Sequence, residues 1–210
     1  MNYKILVDSN SLYEFADEKT RQSVFDALIL NGKKTNYDFD DLLNIQSQKN
    51  IPDNILNINK TPVLTVGGKL FISKSIKNIF ERHRVSGEYF ETRAKINGIA
   101  FHEDYYLFNP LIGLDCLDYK NSTYHREYDN WSKLYNISKI TSLKIDEKKI
   151  PNNLPLFFLG QFPHKENDNR ILDNIIFISN DLSKELLKSK ILGVNIFEIG
   201  KYDRSWKWKC

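Results

Sequence analysis

Apolar positions along this chain change their spacing as they go, and each spacing predicts an element. "YKILV" (3–7) is β-rich and runs into the polar "DSNS", a strand leading to a turn. In "SLYEFADEKTRQSVFDALIL", Leu12, Phe15, Val24 and Leu28 fall at helical spacing. "NGKKTNYDFDD" and "QSQKNIPDNILNINKTP" then interrupt as polar loops punctuated by Asn and Pro. "VLTVGGKLFIS" reads as a hairpin about Gly67-Gly68, a pair suited to positive φ. Ser73 is placed to cap a following helix, whose Ile76, Ile79 and Phe80 share one face, and Gly87 falls where that helix can end.

The same order of signals returns near the end. Phe71, Ile72, Ser73 and Gly87 recur at one constant offset as Phe177, Ile178, Ser179 and Gly193. "IIFI" is an apolar strand, Ser179, Asn180 or Asp181 can cap, and Leu182, Leu186 and Leu187 form the buried stripe. "VNIFEI" closes the unit as a strand. Each segment is therefore expected to fold as strand–helix–strand, a familiar supersecondary unit. Capping serines, a helix-stop glycine and core phenylalanines are scaffold, so the echo predicts architecture and not a site used twice. Between the two units the chain is rich in aromatic and acidic residues. Two β-rich runs follow, Ile140–Ile145 and Leu156–Phe162, around a Pro- and Asn-rich turn at 150–155. The fold expected is α+β: mixed or antiparallel sheets with packed helices and two loosely pseudo-repeated strand–helix–strand units.

Composition narrows the function classes. With 41% hydrophobic and 27% charged residues the chain is ordinary for a globular protein, and 13% aromatic content argues against disorder. A net charge of +3, with both signs interleaved, is too weak for a nucleic-acid footprint. Cys116 and Cys210 lie far apart and give neither a disulfide framework nor a metal pair. The start has no apolar signal-peptide core, and no apolar run approaches the about 18 residues of a membrane span. A cytoplasmic protein without membrane or nucleic-acid partners is expected.

Candidate chemistry is sparse. His83, His102, His125 and His164 lack zinc-site spacing, and no nucleophile elbow, P-loop or dinucleotide fingerprint occurs. "ILVDSN" and "FISNDL" resemble the aspartate-bearing steps of PIN-domain nucleases, in which Asp8 and Asp181 would hold a divalent metal that activates water. Their separation is long for that family, and no intermediate helix carries the expected carboxylates. Asp8 as a turn residue and Asp181 at a helix start are the simpler readings. Asp115 and Asp118, three apart, would share a helical face. The tail "RSWKWKC" reads as a packed or frayed terminus. No metal, cofactor or catalytic residue is predicted.

Aromatic residues mixed with carboxylates suit a protein partner better. "NYDFDD" and "HEDYY" supply Tyr37, Asp38, Asp40, Asp41, Glu103, Asp104 and Tyr105. Aromatic anchors give desolvated contact area, and a negative rim speeds capture of a basic partner.

"LDCLDYKNS", "ISKITSLKIDEKKIPNNLPLFFLG" and "IIFISNDLSKELLKSKILGVNIFEI" together resemble the immunity-protein family numbered eleven of bacterial polymorphic-toxin systems. The matching positions are Asp115, Asp118 and Ser122; Ile150 and Pro151; Phe157 and Phe158; and Phe177, Ile178, Ser179 and Gly193. The likeness covers about the last hundred residues well, and the first sixty add nothing to it. It implies an antitoxin, not an enzyme, that binds one cognate toxin, encoded by the adjacent gene. It also implies that the motif residues are structural and the toxin contacts lie outside them. The expected organisation is an N-terminal half, 1–108, with a divergent start and a family-like half, 109–210, or one continuous domain.

Overall fold

A computed structural model of the chain describes residues 2–8, 13–15, 43–47, 63–66, 69–92, 94–96, 99–100, 105–160, 169–171, 175–189 and 194–202. In chain order the elements are β1 (Tyr3–Asp8), β2 (Tyr13–Phe15), β3 (Leu43–Ser47), β4 (Val63–Val66), β5 (Lys69–Ser73) and α1 (Lys74–Arg82). β6 (Gly87–Thr92), β7 (Ala94–Ile96), β8 (Ile99–Ala100), β9 (Tyr105–Pro110), β10 (Gly113–Leu114) and β11 (Thr123–Asp129) follow. The chain continues through β12 (Leu134–Ser142), β13 (Leu156–Leu159), β14 (Asn169–Ile171), β15 (Ile176–Ser179), α2 (Asn180–Lys188) and β16 (Val194–Glu198). Short 3-10 turns occupy Glu147–Lys149 and Ile199–Lys201. The protein is α+β and mostly sheet.

Among the described residues the strands form three sheets. One runs β10-β13-β15-β1-β16, one β11-β12-β14, and the largest β6-β9-β5-β4-β2-β3-β7-β8. Tyr13–Phe15, expected within a helix, is instead a strand paired to β3 and β4. β4 and β5 pair antiparallel, as the predicted hairpin requires, with Val66 opposite Lys69; Gly67 and Gly68 lie outside the described residues.

Both echo segments form strand–helix–strand, and in each a third strand is inserted between the two. β9 lies antiparallel to both β5 and β6. β1 lies antiparallel to both β15 and β16. This shared order does not make the halves copies, since their sheets differ in size and in their outer strands. β1, from the start of the chain, is thus an interior strand among C-terminal ones, and β9 crosses the junction expected at residue 108.

Burial follows the pleat. In the five-stranded sheet Leu6, Leu156 and Ile178 join one apolar cluster, with Ile76, Ile79 and Phe80 of α1 and Leu182 and Leu186 of α2. Ile5, Phe157 and Phe177 point the other way, into a second cluster with Ile137 and Ile140 of the β11–β12 ribbon. A sheet covered on both faces needs apolar residues at successive positions, which is why "IFI" is continuous and not alternating. The larger sheet shows the same at β5, where Leu70, Phe71 and Ile72 are all buried.

The helix signals are met with three changes. Ser179 caps α2, its hydroxyl accepting from Leu182 N–H at 3.3 Å. Ser73 occupies the matching position, but its hydroxyl bonds Ser75 Oγ at 2.8 Å and caps no backbone N–H. In α2 the inward stripe is Leu182, Ser183 and Leu186, leaving Leu187 exposed. Gly87 does not end α1. The helix closes at Arg84, where Arg84 N–H donates to Glu81 O and Val85 N–H to Phe80 O, both at 2.9 Å. This is the paired C-terminal motif usually completed by glycine. Arg84 takes the left-handed position at φ 56°. Arg84→Gly is therefore expected to raise stability by about 0.5–1 kcal/mol, net of its added unfolded-state entropy. That corresponds to a melting temperature roughly 1–3 °C higher by calorimetry; a lower one would contradict this reading of the helix end.

Candidate functional site

Six of the seven residues expected to meet a partner, Tyr37, Asp38, Asp40, Asp41, Glu103 and Asp104, lie outside the described residues, as do Gly193 and the tail after residue 202. The seventh, Tyr105, is described and does not suit the role. It is 1% exposed in β9, between Ser73 and Thr92 on neighbouring strands, and Thr92 Oγ1 donates to its carbonyl at 3.0 Å. Read as part of an acidic loop, Tyr105 instead opens an interior strand buried on both faces.

Nothing supports the nuclease alternative. Asp181 sits in the first turn of α2 with its carboxylate 84% exposed and paired to Lys184 at 3.3 Å. That is the helix-start arrangement the macrodipole favours. Asp8 ends β1 opposite Val194. No group of three or more His, Cys, Asp or Glu among the described residues is arranged to hold a metal.

The motif residues of the second half are structural in their contacts. Asp115 and Asp118 do not share a helical face, because the chain between them is extended, with Leu117 bridged to Ile145. Asp115 accepts from the Tyr119 hydroxyl at 2.9 Å; burial, then that neighbouring charge, pushes the phenol's pKa well up. Asp118 folds its carboxylate onto a turn, accepting from Asn121 Nδ2 at 2.7 Å and from the Lys120 and Asn121 backbone at 3.2 Å. Those bonds, the Asn121 side chain first, hold it below the ordinary carboxylate pKa. Ser122 both donates to and accepts from the Lys144 backbone, pinning the base of the ribbon. Cys116 is fully buried, and burial pushes its thiol up to about 12, which suppresses the reactive thiolate.

A cleft of about 790 Å³ opens between the start of α2 and the 150–155 turn, lined by Tyr3, His83, Asn152, Asn153, Asn180 and Lys184 among others. Two of its polar groups have set partners: the Ser179 hydroxyl caps α2, and His83 Nε2 lies 2.6 Å from Glu185 Oε2. Arg82 also bonds Glu185, so one carboxylate ties the end of α1 to the middle of α2. Hydrogen bonds from Arg82 and then His83 hold the Glu185 pKa below its ordinary 4.5. A depressed carboxylate stabilises the fold above its unfolded pKa and loses that contribution as pH falls through the folded value. Wild type is therefore expected to melt above Glu185→Gln at neutral pH, with the gap closing as the pH drops below the ordinary glutamate range. Melting curves of both proteins across pH check this, and a gap that widens in acid would contradict it.

The most exposed large apolar side chain among the described residues has no counterpart in the sequence reading. β11 and β12 pair from Thr123 opposite Ser142 to Asp129 opposite Leu134, and the turn at the tip lifts Trp131 to 91% exposure. Asp129 builds that turn: Oδ1 accepts from Trp131 N–H at 2.9 Å, Oδ2 from the Ser132 hydroxyl at 2.7 Å, and its carbonyl from Lys133 N–H at 2.8 Å. Lys133 completes it in the left-handed region at φ 58°. Behind the tip Tyr128 meets Tyr135 edge-on at 5.0 Å, and the Arg126 guanidinium lies 3.8 Å from the Tyr135 ring centroid. Further back a bulge re-phases β12. Arg126 pairs with Ile137 and Thr123 with Ser142, and Lys139 at φ 50° lets both Ile137 and Ile140 face the core. "DNWSK" was the available signal, a turn-rich segment around a tryptophan.

No helix among the described residues is long and apolar enough to cross a membrane. No curated protein matches the chain. A family model described as the immunity protein family Imm11 matches residues 17–201, beginning well before the stretch in which the resemblance is legible by eye. With the match spanning nearly the whole sequence, this chain belongs to the Imm11 immunity protein family.

Proposed function

We propose that this protein is an antitoxin that neutralises one cognate bacterial toxin by direct protein–protein contact, in the cytoplasm of the cell that makes it or of its siblings. The observation that carries the reading is the family match over residues 17–201. Binding and not catalysis is the proposed activity, with the toxin as product of the adjacent gene. The segments holding Tyr37, Asp38, Asp40, Asp41, Glu103 and Asp104 stand as proposed contacts, their carboxylates matched to a basic region of the toxin. Tyr105 drops out of that set because its burial leaves no ring for a partner to touch.

Co-purification tests the reading. Tagged protein expressed with an inactivated product of the adjacent gene should elute as a one-to-one complex that survives size exclusion. Two proteins that elute apart at micromolar concentration would overturn it for that pair.

A further inference from the structure

We propose that the β11–β12 hairpin is the arm by which this chain anchors on its toxin, with Trp131 inserted in an apolar slot whose rim carries carboxylates. The proposal rests on the immunity reading above. Trp131 is 91% exposed, and tryptophan is among the residue types most enriched where a partner closes over a surface. Three observations give the occupant its chemistry.

The first is pre-organisation. Asp129 fixes the turn through both carboxylate oxygens and its carbonyl, so the indole is offered on a set backbone. Little turn entropy is then lost when a partner closes over it. The second is residue type: Trp131, Tyr128 and Arg126, clustered on one hairpin, are the three types enriched at binding hot spots. Tyr128 is itself 44% exposed.

The third is charge. Arg126, Lys133 and Lys139 are exposed cations of the ribbon, while its carboxylates are Glu127 and the turn-bound Asp129. Lys133, two residues from the indole, sets a positive rim. A second copy of the chain would bring like charges together tip to tip, whereas an acidic-rimmed slot on a toxin would not.

The test is the dissociation constant of the full chain for the inactivated product of the adjacent gene, by calorimetry. Trp131→Ala should weaken binding at least ~30-fold. Its melting temperature should be unchanged, since the ring is exposed. Lys133→Glu should slow association and reduce its salt dependence. Leu187→Ala, an exposed apolar change on α2, should bind as wild type. Equal affinity for Trp131→Ala and wild type would overturn the hairpin proposal and leave the immunity reading standing. Failure of the wild type itself to bind would overturn both. If Trp131→Ala instead abolishes binding to phosphatidylglycerol vesicles, or dissolves a dimer, with toxin affinity intact, the arm belongs to a membrane or a second copy and the proposal is wrong.

Discussion

Replacing Phe177 with alanine is expected to remove about 3–5 kcal/mol of stability. Phe177 is fully buried in β15 and lies in register with Phe157 on one side and Ile5 on the other. Its ring stacks on Phe157 with centroids 4.9 Å apart, and Phe157 in turn meets Tyr3 edge-on at 5.3 Å. The row is held by strand pairing on both sides, so the space left by the ring cannot close by backbone collapse. Domains of this kind keep about 5–15 kcal/mol in total, and the variant would lose a large share of it. Its melting temperature should fall by about 6–20 °C. Phe177→Leu, which keeps most of the volume, should lose about 1–1.5 kcal/mol. Urea unfolding followed by circular dichroism measures both, and an alanine loss below about 1 kcal/mol would contradict this packing.

Gly87→Ala is the second large effect, and its cause is space and not backbone freedom. Gly87 opens β6 and is not in the left-handed region, where among the described glycines only Gly160 lies. A Cβ at Gly87 would sit 2.1 Å from Phe108 Cε2 and 3.1 Å from Asn109 O. Phe108 cannot swing away easily: it is 2% exposed, edge-on to Phe80 at 5.0 Å and tilted against Tyr89 at 5.3 Å. Overpacking of this kind costs about 1–3 kcal/mol, and the unyielding backbone oxygen of Asn109 at 3.1 Å places this site at the upper end. If the clash is with Phe108, trimming that ring should relieve it. Gly87→Ala combined with Phe108→Leu should then be more stable than the sum of the two single losses predicts. Strict additivity in a thermodynamic cycle would mean that Gly87 is needed for another reason.

Gly87 also shows where the sequence could be read and where it could not. The strand–helix–strand order around α1 and α2 was legible because its signals are local: apolar runs, a serine at the helix start, and apolar residues three and four apart. The strand that slides between each pair was not, because β1 meets β15 and β16 across nearly the whole chain and no local pattern records that. Gly87 looked like a helix stop because glycine usually provides one, yet Arg84 does that job and Gly87 makes room for a phenylalanine. Tyr105 looked like a surface residue because "HED" precedes it, and interior pairing to β5 and β6 overrode that cue. The β11–β12 ribbon was missed since "TYHREYD" carries polar residues on both faces and no alternation marks it as a strand. Asp115, Asp118 and Ser122, by contrast, make the turn and ribbon contacts of the structural role that the family resemblance implies.

The most direct test of the central claim is survival of cells that express the proposed toxin, the product of the adjacent gene, with and without this protein. Neutralisation by contact predicts that toxin alone arrests growth and that co-expression of the wild-type chain restores it. Rescue should rise with the amount of this chain and saturate near equal stoichiometry. Growth arrest that persists while both proteins accumulate, folded and soluble, would contradict the account for that pair.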